Sequence, residues 1–303
     1  MPFECERRTF LQTAVSSIAL SLKAERAAAK PRLGVVVSVT ETTPDEAIAT
    51  VRTFGLPTCQ IHVGMAPANL AGPLKAALAK YQIEATAVMT LGPGPMVWDF
   101  SDGPKTIGLV PPSTRAARIA ALQRASDLAK RCGIGAVHTH CGFIPEDPND
   151  PLYAPSVTAI REVAARCKRN AQMFLMETGQ ETPITMLRAI TDTGLDNVFV
   201  NLDVANLILY GKGEPVGALE VIGKYVRGLH AKDGLYPTDP RKLGQEVPIG
   251  QGRVNFQEVM RRLRNLSYTG PITIEREISG AQQEADIRAS KAYLERLIES
   301  AYS

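Results

Sequence analysis

The sequence predicts a single-domain α/β protein, a closed (β/α)8 (TIM) barrel over residues 30–303. Three observations carry this expectation. Short apolar runs alternate strictly with segments of helical length, eight of each. Strictly alternating βα units imply a parallel sheet, and their mean spacing of roughly 34 residues is a usual βα length for a barrel. An open doubly wound sheet would want a glycine-rich turn after its first strand, where Ser38-Val39-Thr40-Glu41 stands instead.

Residues 1–29 read as an address that precedes the fold. Arg7-Arg8 lies just before Phe10-Leu11, an uncharged stretch follows to Leu22, and Ala27-Ala28-Ala29 supplies small residues of the kind a signal peptidase accepts. The pattern resembles a twin-arginine signal, so an exported, periplasmic protein is expected. The uncharged stretch is about 14 residues and includes several hydroxyl side chains, too short and too polar to serve as a stable membrane anchor.

The barrel elements follow in order. Residues 33–39 (LGVVVSV) form a β-branched run suited to a strand buried on both faces. A helix over 44–54 has Thr43 as its expected N-cap. Strand 58–63, helix 66–81 and strand 84–89 come next. A long amphipathic helix over 113–131 stops at Cys132-Gly133. Strand 135–141, helix 156–170, strand 172–177 and helix 182–193 lead to a stop at Gly194. Strand 198–203, helix 216–224, strand 226–232, helix 256–266, strand 271–275 and helix 282–300 complete the chain. The long connections 91–112, 142–155 and 234–255 all follow strands, which puts them at the C-terminal face where barrel enzymes build active sites. Their many prolines lower the entropy cost of fixing their shape, so walls rather than loose lids are expected.

Composition sets limits on function. Hydrophobic residues make up 45% and charged residues 21%, as in an ordinary soluble globular protein. The balance of 34 Lys+Arg against 31 Asp+Glu gives a net charge of +3, with no long run of like charges, so no nucleic-acid partner is expected. The five cysteines form no C-x-x-C pair, which argues against a zinc ribbon or redox motif. Nothing pairs Cys132 with Cys167, near the ends of consecutive helices, and free buried thiols are expected. The residues do not fix the oligomeric state; a homo-oligomer is compatible with them.

The chemistry sits at strand ends. The fifth strand ends in Glu177, the sixth in Asp203 and the eighth in Glu275, while His230 closes the seventh. In a barrel these ends converge, placing three carboxylates and an imidazole around one point. Carboxylates packed so closely repel unless a cation lies among them. Mixed oxygen and imidazole donors suit one divalent metal ion, Mn²⁺, Co²⁺, Mg²⁺, Fe²⁺ or Zn²⁺. The expected metal ligands are therefore Glu177, Asp203, His230 and Glu275.

These residues lie in a set of motifs: Thr139-His140-Cys141-Gly142-Phe143-Ile144-Pro145, Glu177-Thr178-Gly179-Gln180-Glu181, Asn201-Leu202-Asp203 with Asn206-Leu207, Leu229-His230-Ala231-Lys232-Asp233-Gly234, and Ile274-Glu275-Arg276-Glu277. Together they resemble the xylose-isomerase-like barrel superfamily, labelled sugar phosphate isomerase/epimerase, over nearly all of residues 32–300. The resemblance implies a divalent metal held by the same quartet and a carbohydrate substrate. In the ketose epimerases of that group the two metal-bound glutamates move protons, which implies Glu177 and Glu275 as catalytic residues. It implies an isomerase or epimerase acting through α-proton abstraction and an enediolate. A lyase or hydratase of 3-keto sugars or glycosides would use the same site, and a sugar-binding protein without catalysis is a further alternative. The related endonuclease IV group needs more histidines than the four in this chain. The epimerases commonly carry His where Asn206 stands, and Asn cannot accept a proton at neutral pH. No phosphate loop is present, so the word phosphate in the label does not carry over.

Six more residues are expected at the substrate. His140 closes the fourth strand beside a long loop, whereas the deeper His138 reads as a satisfied core histidine. His62 closes the second strand and reads equally as a pocket or a structural residue. Trp98, in the proline-rich third loop, either packs on sugar C–H groups or anchors the loop. Asn206 can hydrogen-bond a hydroxyl. Lys232 can bind a substrate oxygen, and Asp233 can orient Lys232 or His230.

Overall fold

Alternation of β-branched strands with amphipathic helices produces the expected barrel. The computed structural model describes residues 29–303 except Met65 and Ala68, so the export signal lies outside the described residues apart from Ala29. The parallel strands are β1 (Leu33–Ser38), β2 (Thr58–His62), β3 (Glu84–Met89), β4 (Ala136–His140), β5 (Met173–Glu177), β6 (Val198–Asp203) and β7 (Val226–Ala231). A small antiparallel hairpin, β8 (Asp233–Leu235) and β9 (Gln245–Val247), stands outside the barrel in the connection after β7. The last barrel strand is β10 (Ile272–Ile274), which pairs with β7 and with β1 and so closes the ring.

The surrounding helices are α1 (Pro44–Thr53), α2 (Ala71–Tyr81), α3 (Gly103–Thr106), α4 (Pro112–Cys132), α5 (Tyr153–Arg169), α6 (Pro183–Thr193), α7 (Asn206–Leu209), α8 (Pro215–Ile222), α9 (Phe256–Asn265) and α10 (Ala281–Tyr302). α5 starts ahead of the expected position because Pro155 falls in its first turn, where a missing N–H costs no helical bond. α2 begins at Ala71 rather than at 66. Thr43 sits at the N-cap of α1, but its hydroxyl pairs with the Thr40 N–H and hydroxyl instead of capping the helix. The long connections contain the short helices α3 and α7 and the β8–β9 hairpin.

Strand alternation sorts side chains between two cores. One face packs Val35, Phe174 and Val200 against the helices; at the other, Ala87, Ala136 and Leu175 plug the barrel interior. The third loop is held from below by Arg118 of α4. Its fully buried guanidinium donates to the carbonyls of Pro93 at 3.1 Å, Pro95 at 2.9 Å and Gly108 at 2.8 Å. This gives the proline-rich wall a physical anchor. Cys132 and Cys167 are free thiols, as expected. Among the described residues no helix is long and apolar enough to cross a membrane.

Candidate metal centre and active site

The register of the barrel places the expected ligands at one level. Asp203 pairs with His230 across β6 and β7, and His140 pairs with Glu177 across β4 and β5. One donor atom each from Glu177, Asp203, His230 and Glu275 falls within 4.8 Å of the others, and all four residues are buried. His230 Nδ1 is the hub, 2.9 Å from Glu177 Oε1, 3.3 Å from Glu275 Oε2 and 3.8 Å from Asp203 Oδ2. The other Asp203 oxygen, Oδ1, accepts the backbone N–H groups of Ala205 at 2.9 Å and Asn206 at 2.7 Å, which fixes the carboxylate. Asp203 Oδ2 is buried without a hydrogen-bond partner, and so is Glu177 Oε2. Three carboxylates converging on one imidazole nitrogen, two of their oxygens without a hydrogen bond, fit a divalent cation as a further source of positive charge beside Lys232.

The ring of His230 is oriented from behind. Its Nε2–H donates to Gln60 Oε1 at 2.7 Å, and Gln60 Nε2 donates to Asn201 Oδ1 at 3.0 Å. This pair directs Nδ1 toward the carboxylates, where it hydrogen-bonds Glu177 Oε1 at 2.9 Å and where a metal would take the place of its proton. The backbone must approach closely here: a Cβ at Gly228 would lie 2.4 Å from Asn201 Oδ1. Gln60→Leu should therefore weaken metal binding by roughly 10- to 100-fold while leaving all four ligands in place. Competition titration against a chelating dye measures it, and unchanged affinity would remove Gln60 from this role.

Burial alone would raise the Glu177 pKa, but His140, His230 and His138 together outweigh it and hold the carboxyl well below its usual range. Burial likewise opposes ionisation of Glu275, and Lys232 and His230 more than reverse this. Both glutamates are therefore carboxylates. His230 is pushed well above its ordinary value by Glu275 and Glu177, against the pull of burial.

Comparison with known proteins adds the lineage. Residues 47–297 match the family model described as xylose isomerase-like TIM barrel. The chain belongs to that family. A xylose isomerase domain protein from Planctomyces limnophilus is 32% identical, with a TM-score of 0.84 over 90% of this chain and 99% of that one. An L-ribulose 3-epimerase shares the fold at 17% identity, with a TM-score of 0.67 over 89% and 95% of the two chains. An uncharacterized protein of Methanocaldococcus jannaschii is 31% identical over 116 residues, which are 38% of this chain and 37% of that protein.

Within this xylose isomerase-like barrel the other expected residues part company. His140 lines the cavity above the quartet, its Nε2 lying 3.1 Å from Glu177 Oε2 and its Nδ1–H donating to Gln180 Oε1 at 3.2 Å. Trp98 meets the His140 ring edge-on at 5.1 Å, forming the lip of the cavity at 42% exposure. His62 also lines the cavity, sharing a 3.4 Å hydrogen bond with Ser38, and burial keeps its pKa below the ordinary value. Asn206 lines the cavity too.

Lys232 and Asp233 do not reach the cavity wall. The buried Lys232 ammonium donates to Glu275 at 3.0 Å and faces Asp203 and Glu277, each at 3.3 Å. It holds the carboxylates rather than a substrate oxygen. Asp233 orients neither Lys232 nor His230. Its carboxylate accepts the backbone N–H groups of Gly234, Gly250, Gly252 and Val254, pinning the last long connection. His138 is a second correction: it is no satisfied core residue. Its Nε2 lies 2.8 Å from Glu177 Oε2, both ring nitrogens lack hydrogen-bond partners, and its ring meets His230 edge-on at 5.2 Å. The sequence motifs do not single out Gln60 and include Asn201 without a role, although a polar residue inside an otherwise apolar strand is a signal that finds both.

Proposed function

We propose that this barrel is a divalent-metal-dependent sugar isomerase or epimerase that works by removing a proton α to a carbonyl. The observation that carries the reading is the buried quartet Glu177, Asp203, His230 and Glu275, gathered within 4.8 Å, with Glu275 lining an open cavity. The fold it shares with an L-ribulose 3-epimerase is consistent with this chemistry. A divalent ion held by the quartet would supply positive charge where the enediolate oxygen develops negative charge.

The rest is done by the chain. Glu177 projects from β5 and Glu275 lies just beyond β10, at 2.9 Å and 3.3 Å from His230 Nδ1. They can approach a sugar carbon from opposite faces, one taking the α-proton and the other returning one. Lys232 keeps Glu275 ionised and fixed, and His138 and His140 do the same for Glu177. His140 and Trp98 give the ring a polar and an apolar contact at the mouth, and Asn206 offers a hydrogen bond to a hydroxyl. Incubation of the metal-loaded protein with a panel of keto and aldo sugars in D2O, followed by NMR, tests the reading. Deuterium at the α-carbon of an isomerised or epimerised product is expected. Turnover without cleavage of that C–H bond, judged with a substrate isotope effect, contradicts it; an unsaturated product with a released alcohol would mark a lyase instead.

A further inference from the structure

We infer that the substrate is an uncharged sugar carrying a second unit, which lies in a slot between α1 and α10. The inference rests on the sugar reading of the quartet and names the substrate class it serves.

The cavity above the quartet has a volume of about 940 Å³. Pockets that hold whole drug-sized ligands span roughly 300–1,000 Å³, so one sugar ring leaves most of this space unfilled. The excess runs in one direction. From Glu275, His62 and His140 at the barrel mouth the cavity passes over the end of β1 and down between the first and last helices. Its walls there are Ala47, Thr50 and Phe54 on the α1 side and Glu284 and Ile287 on the α10 side, with Val37 beneath. Alternation along β1 explains the junction: Ser38 turns to His62 inside the barrel, whereas its neighbour Val37 turns to the helices. Arg288 stands at the foot of the slot. The Arg288 guanidinium lies 4.9 Å from the Phe54 ring centre and donates to the Thr53 carbonyl at 3.1 Å. The result opens at the reacting site and ends about three helical turns below it, a depth of roughly 15 Å.

Charge selects what can enter. The carboxylates of Glu46, Glu275, Glu277 and Glu284 line the cavity, and its cation is Arg276. Arg276 is committed to Glu246 at 2.9 Å and Asp286 at 2.8 Å. Lys232 is equally engaged and lies off the wall. Among the lining residues a phosphate would therefore meet carboxylates whose one guanidinium is already paired, whereas sugar hydroxyls can donate to those same oxygens. The apolar stretch of Val37, Ala47 and Ile287 suits the C–H face of a second ring.

Calorimetric titration of the metal-loaded protein with D-fructose, D-fructose 6-phosphate and four glucosyl-fructoses (turanose, maltulose, leucrose and isomaltulose) tests this. At least one disaccharide should bind about tenfold more tightly than D-fructose, and the phosphate ester more weakly than D-fructose. Thr50→Trp and Glu284→Trp, exposed positions on opposite walls, should each abolish the disaccharide gain while D-fructose affinity stays within about twofold. Disaccharides no tighter than D-fructose overturn the slot and leave the sugar isomerase reading standing, as does a tryptophan that weakens both sugars alike. Tighter binding of the phosphate ester overturns the uncharged substrate. Failure of all six to bind overturns this inference, while the sugar panel in D2O decides the isomerase reading separately.

Discussion

Glu177→Gln and Glu275→Gln should each lower turnover by at least about a hundredfold, the usual scale for a positioned acid or base. Gln keeps the shape and one oxygen that can face a metal, but it cannot take a proton. Each carboxylate is held ionised by neighbours that do not change: the histidines around Glu177, and Lys232 and His230 at Glu275. The loss therefore reports the missing base rather than a collapsed site. The two losses need not add, because both residues serve one metal and one substrate. Rates in the D2O assay, with metal content measured in each variant, check this. Full activity in both variants would remove the two glutamates from proton transfer.

A second large effect is expected in stability, at Glu181. Its carboxyl is buried, and neither oxygen has a hydrogen-bond partner. Burial pushes its pKa up to about 8 from an ordinary value of 4.5. The sign follows from proton counting. Between pH 4.5 and about 8 the folded chain keeps a proton that the unfolded chain has released, so stability falls as pH rises across that window. At about 1.4 kcal/mol per pH unit the penalty reaches on the order of 4 kcal/mol by pH 8. Glu181→Gln carries no such proton. The variant should match wild type below pH 4.5 and exceed it by a few kcal/mol above pH 8, on the scale of that penalty. Urea unfolding at three pH values measures the difference, and a gap that does not change with pH would contradict it.

Much of the barrel could be read from its residues because burial on both faces leaves a plain record. The run LGVVVS and the strand MFLME admit few other structures, and the acids and the histidine closing the later strands announced a common point. What stayed hidden depends on register and on long-range closure. Gln60 meets His230 across 170 positions, and no local pattern shows that its amide fixes the imidazole. Asp233 follows the metal histidine so closely in sequence that a role beside it was the natural expectation. Its acceptors instead serve backbone N–H groups 17 to 21 residues onward, because the glycine-rich segment folds back over it. Gly252 lets that happen: a Cβ there would lie 2.1 Å from Asp233 Oδ1. His138 looked like a core residue because it is fully buried, yet burial and membership of the site coincide at the floor of a barrel.

The ion itself is the most direct measurement. Elemental analysis of gently purified protein should find one divalent metal per chain, lost or weakened in Asp203→Ala and in His230→Ala. Mn²⁺, Co²⁺ or Zn²⁺ added to the stripped wild type should raise its melting temperature, since only the folded chain gathers all four ligands. Protein without stoichiometric metal, and without a thermal shift for any of these ions, would show that the quartet does not bind a divalent cation.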